Sequence, residues 1–512
     1  MYKTIFKYLE DTARKYPKKM SFVDNKRGLT FKDFVKESKM IASKILDYNL
    51  FNKPIVIYLD KNVYCLTSMM GINYSGNFYA VMDNKMPIDR VDNIFNTLKP
   101  CLVISDTKNI ENLKGLKYKV DILNVEEIDT KINQKELDKV YDKLIDTNPM
   151  YILFTSGSTG VPKGVIINHK ACISYIHWFN KAFNIDSKTT FGSQTPFYFS
   201  MSVSDIFSTM TCGCTFYIIP KVNFSFPLRL IEYLNENKIN TLYWVPSALC
   251  IVANFKTFDV LKPKYLKRVL FAGEVMPMKQ LNMWRKALPK VLFANLFGPT
   301  ETVDICSYYV VNRKFRDDDT LPIGNYCDNT DLMVVNEKNE EITNIDEEGE
   351  LYVRGSFLAS GYYNNPEKTS EMFVQNPLNT AYPELVYRTG DIVKYNNRGE
   401  LLYVSRRDFQ IKHMGYRIEL GEIESAANAI KGVDSCVCIY DKDEDRLILF
   451  YVASNLSEMD ILSSVKKKVP NYMWPQEVIK LDSMPYNANG KIDRKNIGVN
   501  YKEGKYKNEW VN

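Results

Sequence analysis

A short stretch rich in glycine and hydroxyl side chains, residues 155–164 (TSGSTGVPKG), is the part of the sequence best suited to chemistry. It follows residues 151–154 (YILF), an apolar run that predicts a buried strand. Glycines let backbone N–H groups approach an anion closely, and hydroxyls and a lysine add further donors. Lys163 stands six residues after Gly157 and precedes another glycine, so the stretch does not match the G-x-x-x-x-G-K-S/T P-loop. We therefore predict a phosphate-binding loop of another kind.

Strand-like and helix-like segments alternate around this loop. Residues 30–48 have helical spacing with Thr30 as a plausible N-cap, and residues 54–59, 101–104 and 151–154 look like buried strands. Such alternation predicts parallel sheets covered by helices on both faces, and hence an α/β fold. From about residue 320 the pattern changes to short strands and turns, which predicts a β-rich subdomain. The last hundred residues resemble a separate small α+β unit.

Composition excludes several classes of protein. The chain has 512 residues, of which 45% are hydrophobic and 25% charged, and a net charge of +6. These values are typical of soluble globular proteins, and the length predicts roughly three domain-sized units. The weak charge excess does not indicate a nucleic-acid partner. The ten cysteines form no C-x-x-C pair and the three histidines are far apart, so a zinc site has little support. We see neither a signal peptide nor a membrane-spanning run, and we expect a cytoplasmic protein without membrane insertion.

The motifs together resemble the adenylate-forming (acyl-adenylate synthetase, AMP-binding) superfamily. Its phosphate loop, S/T-S-G-S/T-T-G-x-P-K-G, matches all ten positions of 155–164. Its other motifs follow in order, at residues 295–301 (NLFGPTE), 349–351 (GEL), 361–362 (GY), 366–369 (PEKT), 387–391 (YRTGD), 406–412 (RRDFQIK), 415–419 (GYRIE) and 489–494 (NGKIDR). The resemblance implies ATP and Mg²⁺ as cofactors. It also implies a large domain over residues 1–404, made of two parallel-type sheets flanked by helices plus a β-rich subdomain. A hinge at 405–408 and a small, mobile α+β lid domain over 409–512 complete the implied fold.

The same resemblance implies the residues of a nucleotide site. These are Thr155, Ser156, Gly157, Ser158, Thr159, Lys163, Gly273, Glu274, Asn295, Leu296, Phe297, Gly298, Pro299, Thr300, Asp391, Tyr403, Arg406 and Lys491. Phe297 is expected to pack on adenine and Asp391 to accept the ribose hydroxyls. Glu301 and Thr155 are the expected Mg²⁺ ligands, and Lys491, Glu301 and Arg406 the catalytic residues. A glutamate after Gly-Pro-Thr has the alternative of merely capping a helix.

Members of the superfamily carry out two half-reactions by rotating the small domain about a hinge aspartate, here Asp408. Adenylation uses the face that carries Lys491, and thioester formation uses the face around Gly415 and Tyr416, where a glycine leaves room for a pantetheine arm. The hinge motif departs from the family at Ser405, where glycine is usual.

Residues 196–205 (PFYFSMSVSD) resemble amino-acid-activating members, both D-alanine–carrier protein ligases and nonribosomal peptide synthetase adenylation domains. In activators of α-amino acids an aspartate that pairs with the substrate ammonium stands where this chain has Ser200. A buried ammonium needs a carboxylate, and Asp304 is expected to line the same pocket. The alternative for Asp304 is a solvated or capping acid. The predicted acid pocket comprises Ser200, Met201, Trp244, Ala272, Leu296 and Asp304.

These observations lead to one interpretation and three alternatives. We expect a monomeric ligase that activates a small carboxylic or amino acid with ATP. It then transfers the acid to the phosphopantetheine thiol of a carrier protein. We expect that carrier to be a separate protein, because the sequence ends shortly after Lys491. Ser200 and Asp304 favour a non-α-amino acid such as β-alanine. The alternatives are a ligase for an aryl or other amine-free acid, an acid–CoA ligase, and a catalytically silent nucleotide-binding protein.

Overall fold

The structure, a computed structural model, describes residues 2–157, 162–407, 410–486 and 492–506. The chain divides into two compact units. The first unit comprises Met1–Asn84, Thr97–Phe154 and Gly164–Arg407, and the second comprises Lys85–Asn96, Thr155–Lys163 and Asp408–Asn512. The predicted division at residues 404 and 408 stays a prediction.

The α-helices of the described residues are α1 (Ile5–Lys15), α2 (Phe31–Ile45), α3 (Val63–Tyr74), α4 (Ile88–Leu98), α5 (Thr107–Ile110), α6 (Gln134–Lys143), α7 (His169–Ala182), α8 (Ser202–Cys212), α9 (Pro227–Glu236), α10 (Pro246–Asn254), α11 (Met278–Ala287), α12 (Pro366–Met372), α13 (Leu420–Asn428), α14 (Glu458–Lys466) and α15 (Arg494–Lys502). Short 3-10 turns lie between several of them. The predicted start of α2 is confirmed, since the Thr30 side chain accepts a hydrogen bond from the Asp33 N–H.

The strands are β1 (Met20–Val23), β2 (Gly28–Thr30), β3 (Pro54–Tyr58), β4 (Phe78–Val81), β5 (Leu102–Ser105), β6 (Ile122–Asn124), β7 (Pro149–Thr155), β8 (Lys163–Asn168), β9 (Thr190–Ser193), β10 (Thr215–Ile218), β11 (Thr241–Trp244), β12 (Arg268–Phe271), β13 (Leu292–Phe297), β14 (Ser307–Val310), β15 (Asn325–Tyr326), β16 (Thr330–Val335), β17 (Glu348–Gly355), β18 (Phe373–Gln375), β19 (Leu385–Tyr395), β20 (Leu401–Arg406), β21 (Gln410–His413), β22 (Tyr416–Glu419), β23 (Val433–Asp441), β24 (Arg446–Ala453) and β25 (Glu477–Lys480).

Two large sheets form the core of the first unit. One has the order β6-β5-β3-β4-β7-β8, and the other has the order β15-β14-β13-β12-β11-β9-β10-β1-β2. The inner strands of both sheets pair in parallel, as the alternation of strands and helices predicts. All five residues of β3 are buried, as expected for a strand covered on both faces. Because the strands are parallel, the loops that follow them collect at one edge of each sheet.

A third, antiparallel sheet confirms the predicted β-rich subdomain. Its order is β16-β17-β19-β18, and β20 pairs with β19. The last strand, β20, extends to Arg406 and so reaches into the predicted hinge.

The second unit contains the β21–β22 hairpin and a sheet of β23, β24 and β25. Helices α13 and α14 pack on this sheet through side chains such as Ile423, Leu449 and Ile461, which are fully buried. The predicted small α+β architecture is therefore confirmed. Among the described residues, no helix combines the length and the apolar character that crossing a bilayer would require.

Candidate active site

The predicted phosphate loop begins where β7 ends, and, of its described residues, 155–157, 162 and 163 belong to the second unit. The Thr155 hydroxyl is buried and has no hydrogen-bond partner among the described residues. Ser156 Oγ donates to the Arg417 carbonyl (2.6 Å) and accepts from the Glu419 N–H (3.2 Å), and Lys163 Nζ lies 3.5 Å from Glu419 Oε1. A buried hydroxyl without a partner suits a ligand that brings its own acceptor. Ser158 and Thr159 lie outside the described residues.

Glu301 is held in a tight loop after β13 in the first unit. Gly298 opens this loop, and a Cβ there would come within 2.6 Å of the Asp304 carbonyl oxygen and of the Cys306 nitrogen, so only glycine fits. Pro299 and Thr300 follow, and a 3-10 turn carries Glu301, which is fully buried. The Tyr362 hydroxyl donates to Glu301 Oε1 at 2.7 Å. The glutamate side chain is therefore oriented by a tyrosine rather than by a helix end.

A strained turn separates Glu301 from Asp304. Val303 has φ 68° and ψ −58°, and the Asp304 N–H donates to the Thr302 carbonyl at 2.8 Å. This is a γ-turn with a β-branched residue at its centre, a conformation that costs on the order of 1–3 kcal/mol. Val303 and Thr302 are fully buried, so packing maintains the turn. Strain of this kind is common where a functional side chain needs a particular direction.

Asp304 lies at the centre of a buried cluster of hydroxyl groups. Its Oδ2 atom accepts hydrogen bonds from Tyr243 (2.8 Å), Tyr175 (3.1 Å) and Ser204 (3.3 Å), and the Ser200 hydroxyl is close enough to lower the pKa of its carboxyl. Asp304 is 2% exposed. Burial raises the pKa of the Asp304 carboxyl above its usual range, and the four hydroxyl groups oppose that increase. Asp304 is therefore not a solvated surface acid.

Three members of the cluster were not predicted from the sequence. Tyr175 comes from α7, Ser204 from α8 and Tyr243 from β11, so three segments distant along the chain converge on the carboxylate of a fourth. The only available signal was local: Ser204 follows Ser200 by one helical turn and Tyr243 stands beside Trp244. The structure does bring the predicted Ser200 and Asp304 together.

The remaining predicted acid-pocket residues are buried in the main core of the first unit. Met201, Trp244, Ala272 and Leu296 are all at most 7% exposed. The Trp244 indole N–H donates to the Gly192 carbonyl at 2.7 Å and so ties β11 to β9. Their contact with a substrate stays a prediction.

Several predicted nucleotide-site residues lie at strand ends of the first unit. Phe297 ends β13, and the centre of its ring lies 6.0 Å from that of Tyr403. Asn295, two residues earlier, donates to the Pro322 carbonyl at 2.8 Å. Gly273 follows β12 with φ 92°. The side chain of its neighbour Glu274 accepts from the Ser247 N–H (2.7 Å), which satisfies a donor in the first turn of α10.

Asp391 and Arg406 form a buried pair across β19 and β20. The two residues are direct partners in the strand register, and Arg406 Nη1 lies 3.1 Å from Asp391 Oδ1. The Asp391 N–H donates to the Thr389 hydroxyl. Asp391 is 2% exposed, so a carboxylate is held in a fixed position with its charge balanced by a guanidinium.

In the second unit, the β21–β22 hairpin carries the predicted thiolation-face residues. Met414 and Gly415 both have positive φ, at 51° and 79°, and form the tip of the hairpin. Tyr416 stacks on Tyr472 with a centroid distance of 3.7 Å. The predicted hinge Asp408 and the predicted catalytic Lys491 lie outside the described residues.

Comparison with known proteins places the chain in a family. A sequence model for AMP-binding enzymes matches residues 9–363, and one for the C-terminal domain of AMP-binding enzymes matches residues 422–491. The chain belongs to the AMP-binding enzyme family. The predicted resemblance is thus confirmed, and with it the ligase class and the use of ATP and Mg²⁺.

Three relatives illustrate the similarity. Zwittermicin A synthase ZmaJ of Bacillus cereus is 30% identical over 97% of this chain and 94% of its own length. The D-alanine–D-alanyl carrier protein ligase of Bacillus licheniformis is 29% identical over 96% of this chain and 98% of its own. The crystal structure of the Vibrio cholerae adenylation domain AlmE, in complex with glycyl-adenosine-5'-phosphate, has a TM-score of 0.83 at 19% identity and covers 98% of both chains. That last likeness confirms the fold.

The described residues fit a magnesium ion bound mainly through a substrate. They contain no group of three or more histidine, cysteine, aspartate or glutamate side chains that could hold a metal. Glu301 is a single, oriented carboxylate, and Mg²⁺ is commonly bound by one or two carboxylates together with phosphate oxygens and water. When bound, the ion would neutralise phosphate charge.

Proposed function

We propose that this enzyme activates a small ω-amino acid such as β-alanine with ATP and transfers it to the phosphopantetheine thiol of a separate carrier protein. The observation that carries the substrate class is the Asp304 carboxylate, buried among the hydroxyls of Tyr175, Tyr243, Ser204 and Ser200. The proposal rests on the chemistry of that cluster together with the family of the chain.

The cluster provides negative charge, and none of the described side chains that form it is a cation. Hydroxyl donors orient a carboxylate without neutralising it, and a buried charge without a counter-ion is costly. The raised pKa of the Asp304 carboxyl is a direct sign of that cost. A substrate ammonium would supply the missing positive charge and restore the pKa, so the cluster is electrostatically suited to an amine.

The position of the carboxylate favours an amine away from the α-carbon. Ser200 stands where the α-amino-acid activators resembled by residues 196–205 have their aspartate, and a serine cannot neutralise an ammonium. In this chain the charge is on Asp304 instead. An amine on the β-carbon or further along the acid would then pair with the Asp304 carboxylate, while Ser200 contributes only a neutral hydroxyl beside it.

The roles that we propose for the nucleotide-binding residues follow from the same family. Asp391 accepts the ribose hydroxyls, while Arg406, 3.1 Å away, fixes the position of its carboxylate. Phe297 packs on adenine, Glu301, oriented by Tyr362, would be a ligand of the metal ion, and Thr155 is the other ligand that we propose for it. Lys491 bridges the acid and the α-phosphate, which lowers the repulsion between two anions.

The acceptor is proposed from the similarity to the D-alanine–D-alanyl carrier protein ligase, which matches this chain over nearly its whole length. A carrier protein presents its thiol on a pantetheine arm, and the hairpin around Gly415 and Tyr416 is where we propose that the arm enters. The monomeric state, the cytoplasmic location and the rotation about Asp408 also stay predictions.

Intact-mass measurement tests both parts of the proposal. The enzyme is incubated with ATP, Mg²⁺ and β-alanine, and with either a phosphopantetheinylated carrier protein, the same carrier without the arm, or CoA. We expect the carrier with the arm to gain one β-alanyl group, and the carrier without the arm to stay unchanged. Formation of β-alanyl-CoA at a higher rate than the loaded carrier would show an acid–CoA ligase. Loading of 4-hydroxybenzoate in place of β-alanine would show that the cluster binds an amine-free acid.

A further inference from the structure

A second charged group lies close to the predicted acid-binding segment. Lys61 stands in the loop between β3 and α3, and its ammonium donates to both the carbonyl (3.1 Å) and the hydroxyl (3.0 Å) of Ser193. Ser193 ends β9 and is fully buried. Since β3 and β9 belong to different sheets, one side chain joins the strand ends of the two large sheets. The ammonium also lies 5.2 Å from the centre of the Phe197 ring.

Asp205, in the first turn of α8, is a buried carboxyl whose charge raises the pKa of this ammonium. Asp205 is 2% exposed, it accepts a hydrogen bond from the Ile206 N–H (2.9 Å), and the Ser193 hydroxyl lowers the pKa of its carboxyl. Burial raises the pKa of the Asp205 carboxyl and lowers that of the Lys61 ammonium, and the attraction between them opposes both shifts. The Ser193 hydroxyl accepts from Lys61 and lowers the pKa of the Asp205 carboxyl, so it links the two charged groups in a chain of three.

This Lys61–Ser193–Asp205 chain holds the two ends of one segment. Residues 194–204 begin directly after Ser193 and end directly before Asp205. The segment contains Ser204, which donates to Asp304, and Ser200, whose hydroxyl lowers the pKa of the Asp304 carboxyl. Fixing both ends of a short segment limits where these hydroxyls can stand relative to the carboxylate.

We propose that Lys61 is a positioning residue for acid binding, which acts through Ser193 and Asp205 on the segment 194–204. The proposal depends on the proposed function only in that the acid binds beside Asp304. Lys61 needs no contact with the acid or with the nucleotide. Loss of its charge would leave Asp205 buried without a cation and would release the segment, whereas loss of both charges would remove that penalty.

The test is steady-state pyrophosphate exchange in four variants of the full chain. These are Lys61→Met, the double variant Lys61→Met/Asp205→Asn, Ser193→Ala, and Lys114→Met as a control, because Lys114 is 70% exposed in a surface ion pair. For Lys61→Met we expect the KM for the acid to rise about tenfold or more, with the KM for ATP within about twofold of the wild type. The double variant should recover part of the loss, Ser193→Ala should show a smaller shift in the same direction, and the control should match the wild type.

An unchanged KM for the acid in a folded Lys61→Met variant overturns the proposal. An equal rise in both KM values overturns it as well, because a general loss of structure would affect ATP and acid alike. If thermal unfolding shows that Lys61→Met does not fold, the double variant and Ser193→Ala decide by the same criterion. This test is independent of the test of the proposed function. It uses whichever acid the wild type accepts, so the result for Lys61 does not depend on whether that acid carries an amine.

Discussion

The substitution Asp304→Asn removes the charge of the buried cluster with little change in volume. The amide oxygen can still accept hydrogen bonds from Tyr243, Tyr175 and Ser204, so the surrounding structure should persist. What the variant loses is the attraction for a substrate ammonium. The effect on catalysis therefore reports on the charge itself.

The magnitude follows from the burial of the site. At a separation of about 3 Å and an effective dielectric constant of about 20, an ammonium–carboxylate pair gains about 5 kcal/mol. Removing the ammonium from water costs part of that energy, so the net interaction is smaller. The variant should lose about 2–4 kcal/mol of interaction free energy with the substrate. We therefore expect kcat/KM for β-alanine to fall by about 30- to 1,000-fold.

The assay compares two acids that differ in the amine. Exchange of pyrophosphate into ATP is measured with β-alanine and with propionate, which lacks the ammonium, for the wild type and Asp304→Asn. The control variant Asp328→Asn alters an acid that is 56% exposed in a surface pair and should change neither acid. For propionate, the change in Asp304→Asn should stay within about threefold. An equal loss for both acids, or no loss for β-alanine, would refute the assignment of Asp304 to the amine.

Four further predictions concern the nucleotide site and the stability of the fold. In steady-state exchange, Asp391→Asn should raise the KM for ATP about tenfold or more, because an amide accepts the ribose hydroxyls less well than a carboxylate. The KM for the acid should stay unchanged. Equal changes in the two KM values would contradict the assignment of Asp391 to the ribose. Glu301→Gln should raise the Mg²⁺ concentration needed for half-maximal exchange about tenfold. Its unfolding temperature should stay within about 2 °C of the wild type, because the Tyr362 hydroxyl can still donate to the amide, and an unchanged Mg²⁺ requirement would count against a metal role. Lys491→Ala should abolish exchange while ATP binding, measured by calorimetry, persists; undiminished exchange would rule out its role in catalysis. Burial lowers the pKa of His169 to about 3, so below the unfolded-state value of 6.5 the unfolded chain gains a proton that the folded chain cannot take. The folded state should lose about 1.4 kcal/mol per pH unit at this site as the pH falls from about 6 to 4. In urea unfolding, His169→Gln should lack that part of the pH dependence of the unfolding free energy. If the unfolding free energy of the variant and of the wild type changed equally with pH, the role of His169 would be disproved.

The sequence predicted the fold where local pattern and packing agree. The buried run of β3, the capped start of α2 and the change to short strands after residue 320 all have periodicities or end signals that a single segment reveals. The phosphate loop and the Gly-Pro-Thr-Glu stretch could be recognised because their glycines admit few other residues, as the close contacts around Gly298 show.

The cluster around Asp304 could be predicted only in part. Asp304 and Ser200 were both expected in one pocket, but Tyr175 lies 129 residues from Asp304 in the chain and meets it only through the packing of α7 on the sheet. Local preference even argues against the turn at Val303, because a β-branched residue rarely adopts a positive φ. That conformation is imposed by tertiary packing, which a local pattern does not contain.

Trp244 and Glu274 show a different limit. Both were assigned to ligand sites, and in the structure Trp244 donates to the backbone of β9 while Glu274 accepts from the first turn of α10. A side chain at a strand end can support the fold and line a site at once, and residue type alone does not separate these roles.

The most direct test of the proposed function is pyrophosphate exchange by the wild-type enzyme across a panel of acids. The panel contains β-alanine, D-alanine, propionate and 4-hydroxybenzoate, each with ATP and Mg²⁺. We predict the highest kcat/KM for β-alanine, a lower value for D-alanine and the lowest values for the two acids without an amine. Exchange with 4-hydroxybenzoate or propionate, and none with either amine-bearing acid, would contradict the proposal that Asp304 binds a substrate ammonium.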